Sequence, residues 1–344
     1  MSFLDERKQR ILKAIVDEHI ETAAPVGSEL LVQHYDFGVR PATIRNEMSE
    51  MAEMGYLKQP HTSAGRVPSD RGYRFYVDRL MERPSVPRHD AIMAQKKLLN
   101  TTHILDAVLI ETCRILSGLT NYTAVATQPV ISEAVISYVH FSIVGDRKLL
   151  LVIGLSDGRV THRVINTEYR PASKEVARVS RMLSTRFIGK KVGEVEHLEL
   201  EKQEPTSELY SEAASMLKRL ANDLSFVDIN MWVEGTNYIL KQPEFRDPQK
   251  VEKVLELLEE RRRIYQLLTR LVLGPDVTIV IGSENPLPEM ADTSFVATNY
   301  RIGDRIGGTI GVISATRMDY RRAVASVQLM AKNLGTLLTE LSLT

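Results

Sequence analysis

The stretch RPATIRNEMSEMAEMGYL, residues 40–57, opens beside a proline and closes beside a glycine. Between them the apolar residues recur at helical spacing. Proline suits the first turn of a helix, where its missing N–H is not needed, and glycine suits the left-handed position just past the end. Ile44, Met48 and Met51 fall on one face of the predicted helix. Ala42, Arg45, Asn46 and Ser49 fall at i, i+3, i+4 and i+7 on another, with Thr43 beside them. Such a helix is held by its apolar stripe and offers a guanidinium and a carboxamide to something outside.

The flanking sequence supplies the frame. Residues 5–20 place Leu12, Ile15, Val16 and His19 on one helical face. Pro25 and Gly27 break the chain, and Ser28 is read as the N-cap of a short helix through His34. Gly38 in DFGV marks a turn. After the quoted helix, YLKQPHTSAGRVPS (56–69) has extended ends around a Ser-Ala-Gly tip, the pattern of a hairpin. SDRGYRFYVDRL (69–80) is a further helix capped by Ser69, with Tyr73, Tyr76, Val77 and Leu80 inward.

Two short helices, a tight turn and a hairpin spell a winged helix-turn-helix, whose second helix enters the DNA major groove. Arg bonds guanine bidentately, Asn bonds adenine, and Ala or Thr touches a thymine methyl. Glu47, Glu50 and Glu53 would repel phosphate, so they are expected at the rim or against a neighbouring element. From Lys58 to Arg88 seven cations (58, 66, 71, 74, 79, 83, 88) stand against three anions (70, 78, 82), a local net charge of +4. Lys58, His61, Thr62, Ser63, Gly65, Arg66 and Arg71 are therefore the candidate wing and backbone contacts, with Arg66 as a minor-groove probe.

The whole chain is less telling. It has 344 residues, 44 basic against 44 acidic, 43% hydrophobic and 26% charged, so any basic surface must be local. Its single Cys113 excludes an intramolecular disulfide and reads as a core residue, which fits a cytoplasmic protein. The N-terminal MSFLDERKQR is not a signal peptide, and no run approaches the roughly 20 apolar residues of a membrane span. The eight His residues lack metal-ligand spacing, and no nucleophile–base pair stands out, so no cofactor, metal or enzymatic activity is expected. RIGDRIGGTIGV (301–312) is Gly-rich but lacks the Lys-Ser/Thr ending of a P-loop, and reads as a turn entering a strand.

Domain boundaries follow from pattern changes. Residues 1–82 form the DNA-binding domain and 83–90 a Pro-containing linker. A helix runs from about 91 to 120. Three strands follow in 135–165, a helix at 173–187, and mostly helical sequence at 205–273. Strands resume at 277–282, 294–300 and 307–313 before a terminal helix at 319–341. The expectation is an α+β domain made of 91–204 and 274–344, interrupted by an insertion at 205–273. Within the insertion, Val251, Val254, Leu258, Tyr265, Leu268 and Val272 recur at nearly heptad spacing on one long helix, the candidate dimer seam. EERRR (259–263) reads as its solvated surface.

PATIRNEMSEMAEMGYLKQPHTSAGRVPSDRGYRFYVD (41–78) resembles the N-terminal domain of the bacterial heat-inducible transcription repressor family HrcA. IGSEN (281–285) and GTIGVISATRMDYRRAVASV (308–327) resemble that family's ending, where Gly-Pro-Thr usually precedes Arg-Met-Asp-Tyr and this chain has Ser314-Ala315-Thr316. The resemblance spans nearly the whole chain, loosely in its middle. It implies a winged helix, a GAF-like domain and a dimerising insertion. It implies a homodimer that binds an inverted-repeat operator upstream of chaperonin and dnaK-type operons, lets go on heat shock, and is kept active by the GroEL chaperonin. In the cell such a repressor is cytoplasmic, and nucleoid-associated when bound. Two other readings stay open from the residues: a regulator whose GAF-like domain binds a small effector, and a winged helix used on protein or RNA.

Overall fold

The computed structural model describes residues 4–61, 64–82, 85–101, 104–127, 135–156, 160–195, 208–226 and 231–343. It is a mixed α/β protein that divides into two units, Met1–Gln128 with Met231–Thr344, and Pro129–Asn230.

The first unit begins with three helices, α1 (Glu6–Thr22), α2 (Ser28–His34) and α3 (Pro41–Glu53). Local chemistry sets their ends. The Asp5 carboxylate accepts the Lys8 N–H at 2.8 Å at the start of α1. Pro41 takes the first position of α3, and Gly55 takes a φ of +81° just past its end. Gly38 turns the chain between α2 and α3 at φ +66°. Gly27, not Ser28, caps α2, and no side chain satisfies that N-terminus. The hairpin is minimal: β1 (Leu57–Lys58) pairs with β2 (Val67–Pro68), and a single bridge joins Arg66 to Val26. Then α4 (Asp70–Phe75) continues as one π-helical turn to Leu80.

The expected helix over 91–120 is two, α5 (Arg88–Leu99) and α6 (Leu105–Thr120). The sheet that follows is antiparallel. Its strands are β3 (Thr123–Thr127), β7 (Met231–Glu234), β8 (Thr278–Ile281), β9 (Thr293–Ile302) and β10 (Arg305–Ala315), in the order β7-β3-β10-β9-β8. Thr127 and Met231 are register partners across the β3–β7 ladder. Both faces of this sheet are buried, and its side chains alternate between them. Ala124, Ala126, Val296, Ile310 and Val312 pack with α6 and with α13 (Tyr320–Leu343). Val125, Phe295, Ala297 and Ile313 pack under α11 (Pro248–Glu259) and α12 (Arg261–Leu271). A short α10 (Asn237–Leu240) joins β7 to that second layer.

The second unit carries β4 (Ile136–Gly145), β5 (Lys148–Leu155) and β6 (Val160–Asn166) in one antiparallel sheet, with α7 (Ser173–Phe187), α8 (Val192–Val195) and α9 (Glu208–Phe226). Val139, Phe141, Leu151 and Ile153 face Val179, Leu183, Phe187, Ala213 and Leu217 in its core.

Two expectations are corrected here. The interruption of the sheet domain lies at 129–230 instead of 205–273, so the strands at 135–165 belong to it and residues 231–273 do not. The long helix at 251–273 is broken at Glu260, whose ψ of 59° leaves the helical region. The break lets two shorter stripes lie on one sheet. Val254, Leu258, Leu268 and Val272 are buried in the chain's own core, with Val251 packed against it and Tyr265 half-buried. The candidate dimer seam is thus consumed within the subunit, because a doubly buried sheet needs that apolar area as its second cover.

Candidate nucleic-acid interface

The face of α3 divides as its spacing predicts. Ile44, Met48 and Met51 are buried, while Ala42, Arg45 and Asn46 are exposed and Thr43 and Ser49 half-exposed. Two of its three acidic residues, Glu47 and Glu50, pair with cations of α1, and Glu53 is exposed. The Arg7 guanidinium donates through Nε to Glu47 Oε1 at 2.6 Å, and Glu47 is only 5% exposed. Lys8 Nζ lies 3.1 Å from Glu50 Oε2. Two carboxylates that would oppose a polyanion are therefore matched by cations of α1. Nothing in the spacing of α3 alone named Arg7 or Lys8 as those partners.

The hairpin meets α3 edge on. The Arg66 N–H donates to the Val26 carbonyl at 2.8 Å, and the Val26 N–H donates back at 2.9 Å. Gly65 is pinned in the same place: a Cβ there would stand 2.2 Å from the Val26 carbonyl oxygen. Close approach to Val26 therefore demands glycine at 65. Arg66 is half-buried at the hairpin's base, where Nη2 donates to Ser49 Oγ at 3.5 Å. Its buried Nε has no hydrogen-bond partner among the described residues. Arg66 is thus not an outlying tip but part of a joint surface with α3. That surface is a concavity of about 370 Å³ edged by Ser28, Arg45, Ser49, Gln59 and Arg66. Among the described residues no carboxylate lines it. Sequence reasoning passed over Ser28 and Gln59, the first because it was read as a cap.

Lys58 and His61 are exposed on the hairpin, and Thr62 and Ser63 lie outside the described residues. Arg71 is exposed as well, and its guanidinium is also engaged within the chain. Its Nη1 donates to the Met54 carbonyl at 2.8 Å, and its guanidinium stacks 4.5 Å from the Tyr56 ring centroid. It closes the C-terminus of α3, where a cation meets the negative end of the helix dipole.

Behind this surface α4 abuts the sheet region. Asp70 Oδ2 accepts the Ser283 N–H at 2.9 Å. Arg74 donates through Nε to Glu284 Oε1 at 2.8 Å and through Nη2 to the Ile279 carbonyl at 2.7 Å. Tyr73 and Tyr320 pack with ring centroids 5.8 Å apart, and the Tyr73 hydroxyl lies 2.8 Å from His19 Nδ1. Burial first, and the nearby Arg317 charge second, pull the His19 pKa down to about 4. Arg317 donates to the Ile20 carbonyl at 2.7 Å, to Glu244 Oε1 at 2.6 Å and to Gln242 Oε1 at 2.9 Å. Among the described residues no cluster of three His, Cys, Asp or Glu side chains has metal-binding geometry, and no helix is long and apolar enough to cross a membrane.

Compared with known proteins, the chain matches the family model for the HrcA protein C terminal domain over residues 106–324. It is 36% identical over 339 residues to the heat-inducible transcription repressor HrcA of Desulforamulus reducens, covering 96% of each chain. It is 37% identical over 346 residues to that of Symbiobacterium thermophilum, covering 96% of this chain and 98% of the other. A solved structure described only as a hypothetical protein superposes with a TM-score of 0.59 at 24% identity, covering 98% of each chain, a likeness of fold alone. On the strength of the family model and of relatives matched along nearly their full length, the chain belongs to the HrcA family of heat-inducible transcription repressors.

Proposed function

We propose that the chain represses transcription as a homodimer whose winged helix-turn-helix, residues 1–82, reads an inverted-repeat operator of chaperone operons. The observation that carries this is the α3 surface: Arg45 and Asn46 are exposed on it, while Arg7 and Lys8 of α1 pair with Glu47 and Glu50 and offset their charge. Ala42, Thr43, Arg45, Asn46 and Ser49 meet base edges. Arg66 extends that row from the hairpin, and Lys58 and His61 meet phosphates. A good bidentate pair gives about 1–3 kcal/mol of discrimination between bases. Gly65 and Arg71 shape this surface from beneath.

A two-fold operator calls for a two-fold protein. With the 251–268 stripe buried, the dimer surface we favour is the outer face of the three-stranded sheet. There Tyr138, Val160 and Val164 are 51%, 69% and 47% exposed, and their rows cross at Gly154 and Leu150. Apolar residues spread across one sheet face are a poor surface for water and a good one for a second copy. The GroEL-type chaperonin, as a keeper of active repressor, completes the reading. The sheet domain of the first unit takes the GAF-like role in it.

The test is an anisotropy titration at one stated salt concentration, with an inverted-repeat operator and a scrambled duplex, with and without chaperonin. Operator preference that rises with chaperonin supports repressor and feedback together. Preference indifferent to chaperonin removes the feedback. Equal weak binding to both duplexes by folded protein overturns operator recognition. In the same assay Arg45→Ala is expected to lose operator affinity about 5- to 150-fold, against a far smaller loss on scrambled DNA.

A further inference from the structure

Two of the motifs that carry the family resemblance, IGSEN and RMDYRR, lie far from α3 in sequence. The structure places both against the back of the DNA-reading head. We propose that Asp70 and Arg74 of α4, with Arg317 at the opposite edge, form a latch that fixes the head's orientation on the sheet region and so sets the half-site spacing the dimer accepts. This rests on the operator-binding reading above.

The argument is in α4, whose consecutive residues bind two different neighbours. Ser69, its cap, donates through Oγ to the Gly55 carbonyl at 2.6 Å and through N–H to the Tyr56 carbonyl at 3.0 Å. Arg71 holds the Met54 carbonyl. Those three contacts grip the end of α3. Asp70 and Arg74 point the other way, to Ser283, Glu284 and Ile279. One six-residue helix is therefore fastened to the reading helix on one side and to the sheet on the other.

The fastening on the sheet side is directional, not mere apolar packing. Glu284 is itself fixed, its Oε2 accepting the Ile281 N–H at 2.9 Å. Gly282 holds φ +51°, and a Cβ there would stand 2.6 Å from the Asp70 carboxylate, so the loop is shaped around that group. The Asn285 amide ties the loop to the Gly282, Met290 and Thr293 carbonyls at 2.9, 3.1 and 2.8 Å. At the other edge Arg317 joins the last turn of α1, through the Ile20 carbonyl, to Gln242 and Glu244. Hydrogen bonds at two separated edges, with the Tyr73–Tyr320 contact between them, oppose rotation as well as separation.

A head held at one angle tolerates one operator geometry, since each base pair added between half-sites moves the second by about 3.4 Å and turns it by roughly a tenth of a helical turn. The experiment measures affinity for a series of duplexes with the same half-sites and spacers changed by one, two and three base pairs. It compares the full-length wild type with Glu284→Gln and Arg317→Gln. Wild type is expected to lose at least about tenfold at two base pairs from its best spacing, the scale of losing one half-site's specific contacts. The variants are expected to lose less than about threefold there, while scrambled-duplex binding stays as in wild type. Folded variants with the wild-type spacing profile overturn the proposal. Hydrogen exchange gives the second reading without DNA: the Ser283 amide and the 70–75 amides should exchange faster in Arg74→Gln. Unchanged protection there overturns the latch, whereas wild type that ignores operator sequence while Ser283 responds overturns only the DNA reading.

Discussion

Gly72 sets two physical effects against each other, and their magnitudes decide the sign. It sits inside α4, where replacing glycine by alanine ordinarily stabilises a helix by about 0.5–1 kcal/mol. Here an added Cβ would stand 2.2 Å from the Tyr56 carbonyl oxygen and 3.3 Å from its carbon. Real contacts of this kind do not fall below 3.0 Å, so α4 must retreat from the hairpin by roughly 0.8 Å. The obstacle is backbone, which cannot rotate away. Overpacking of this sort costs about 1–3 kcal/mol. Less the helical gain, Gly72→Ala should destabilise the first unit by up to about 2.5 kcal/mol, or up to roughly 10 °C in Tm for a unit of this size. The displaced helix also carries Ser69 and Arg71, so α3 should shift and operator affinity fall further than stability alone requires. Urea unfolding followed through Trp232, the chain's single tryptophan, on β7 of the same unit, measures it. A variant as stable as wild type, or more so, would refute the close approach of α4 to the hairpin.

Other outcomes follow from the same geometry. Arg66→Ala should lower the salt slope of operator binding by about 0.9, the share of one phosphate contact, and an unchanged slope removes the hairpin's base from the interface. Val254→Ala and Leu258→Ala should each cost about 1–5 kcal/mol of stability at any protein concentration, as core truncations do; a change confined to the monomer–dimer equilibrium would restore the seam read from their spacing. His19 is held neutral in the fold, its pKa near 4 against 6.5 when free, so the folded state binds fewer protons than the unfolded between those values. Stability should be fully present above about pH 6.5 and fall as pH drops towards 4, and His19→Gln should flatten that part of a pH–stability curve.

The N-terminal helices and hairpin were legible because each of their signals is local. Pro41 and Gly55 bound a helix, Ile44, Met48 and Met51 mark its inner face, and Ser69 caps the next. What the pattern missed is tertiary. Arg71 and Arg45 look alike in a charge count, and only the fold shows that one closes a helix end while the other is exposed on the helix face. Gly65 suggested an accessible backbone, whereas its lack of a side chain serves contact with Val26, a neighbour nearly 40 residues away. The stripe at 251–272 was real, but periodicity says that a helix buries a face and not against what. β7 escaped because a four-residue strand within helical sequence has too few residues to show a period of two. Without it the sheet domain could not be seen to resume at 231.

The pairing of Thr127 with Met231 makes the whole second unit, topologically, the loop of a β-hairpin. A two-residue turn closes such a ladder at little entropic expense. A loop of roughly 100 residues raises that expense by about 3.5 kcal/mol if it is still unfolded when the ends meet. A second unit that collapses first around Phe141, Leu151 and Leu183 brings its own ends under control and removes most of the penalty. Synthesis order favours this sequence of events, since residues 129–230 emerge before β7 exists. The five-stranded sheet, and with it the platform behind the reading head, then becomes the last part of the subunit to form. A lesion that slows folding of the insertion should therefore delay DNA binding without altering a single residue that meets DNA.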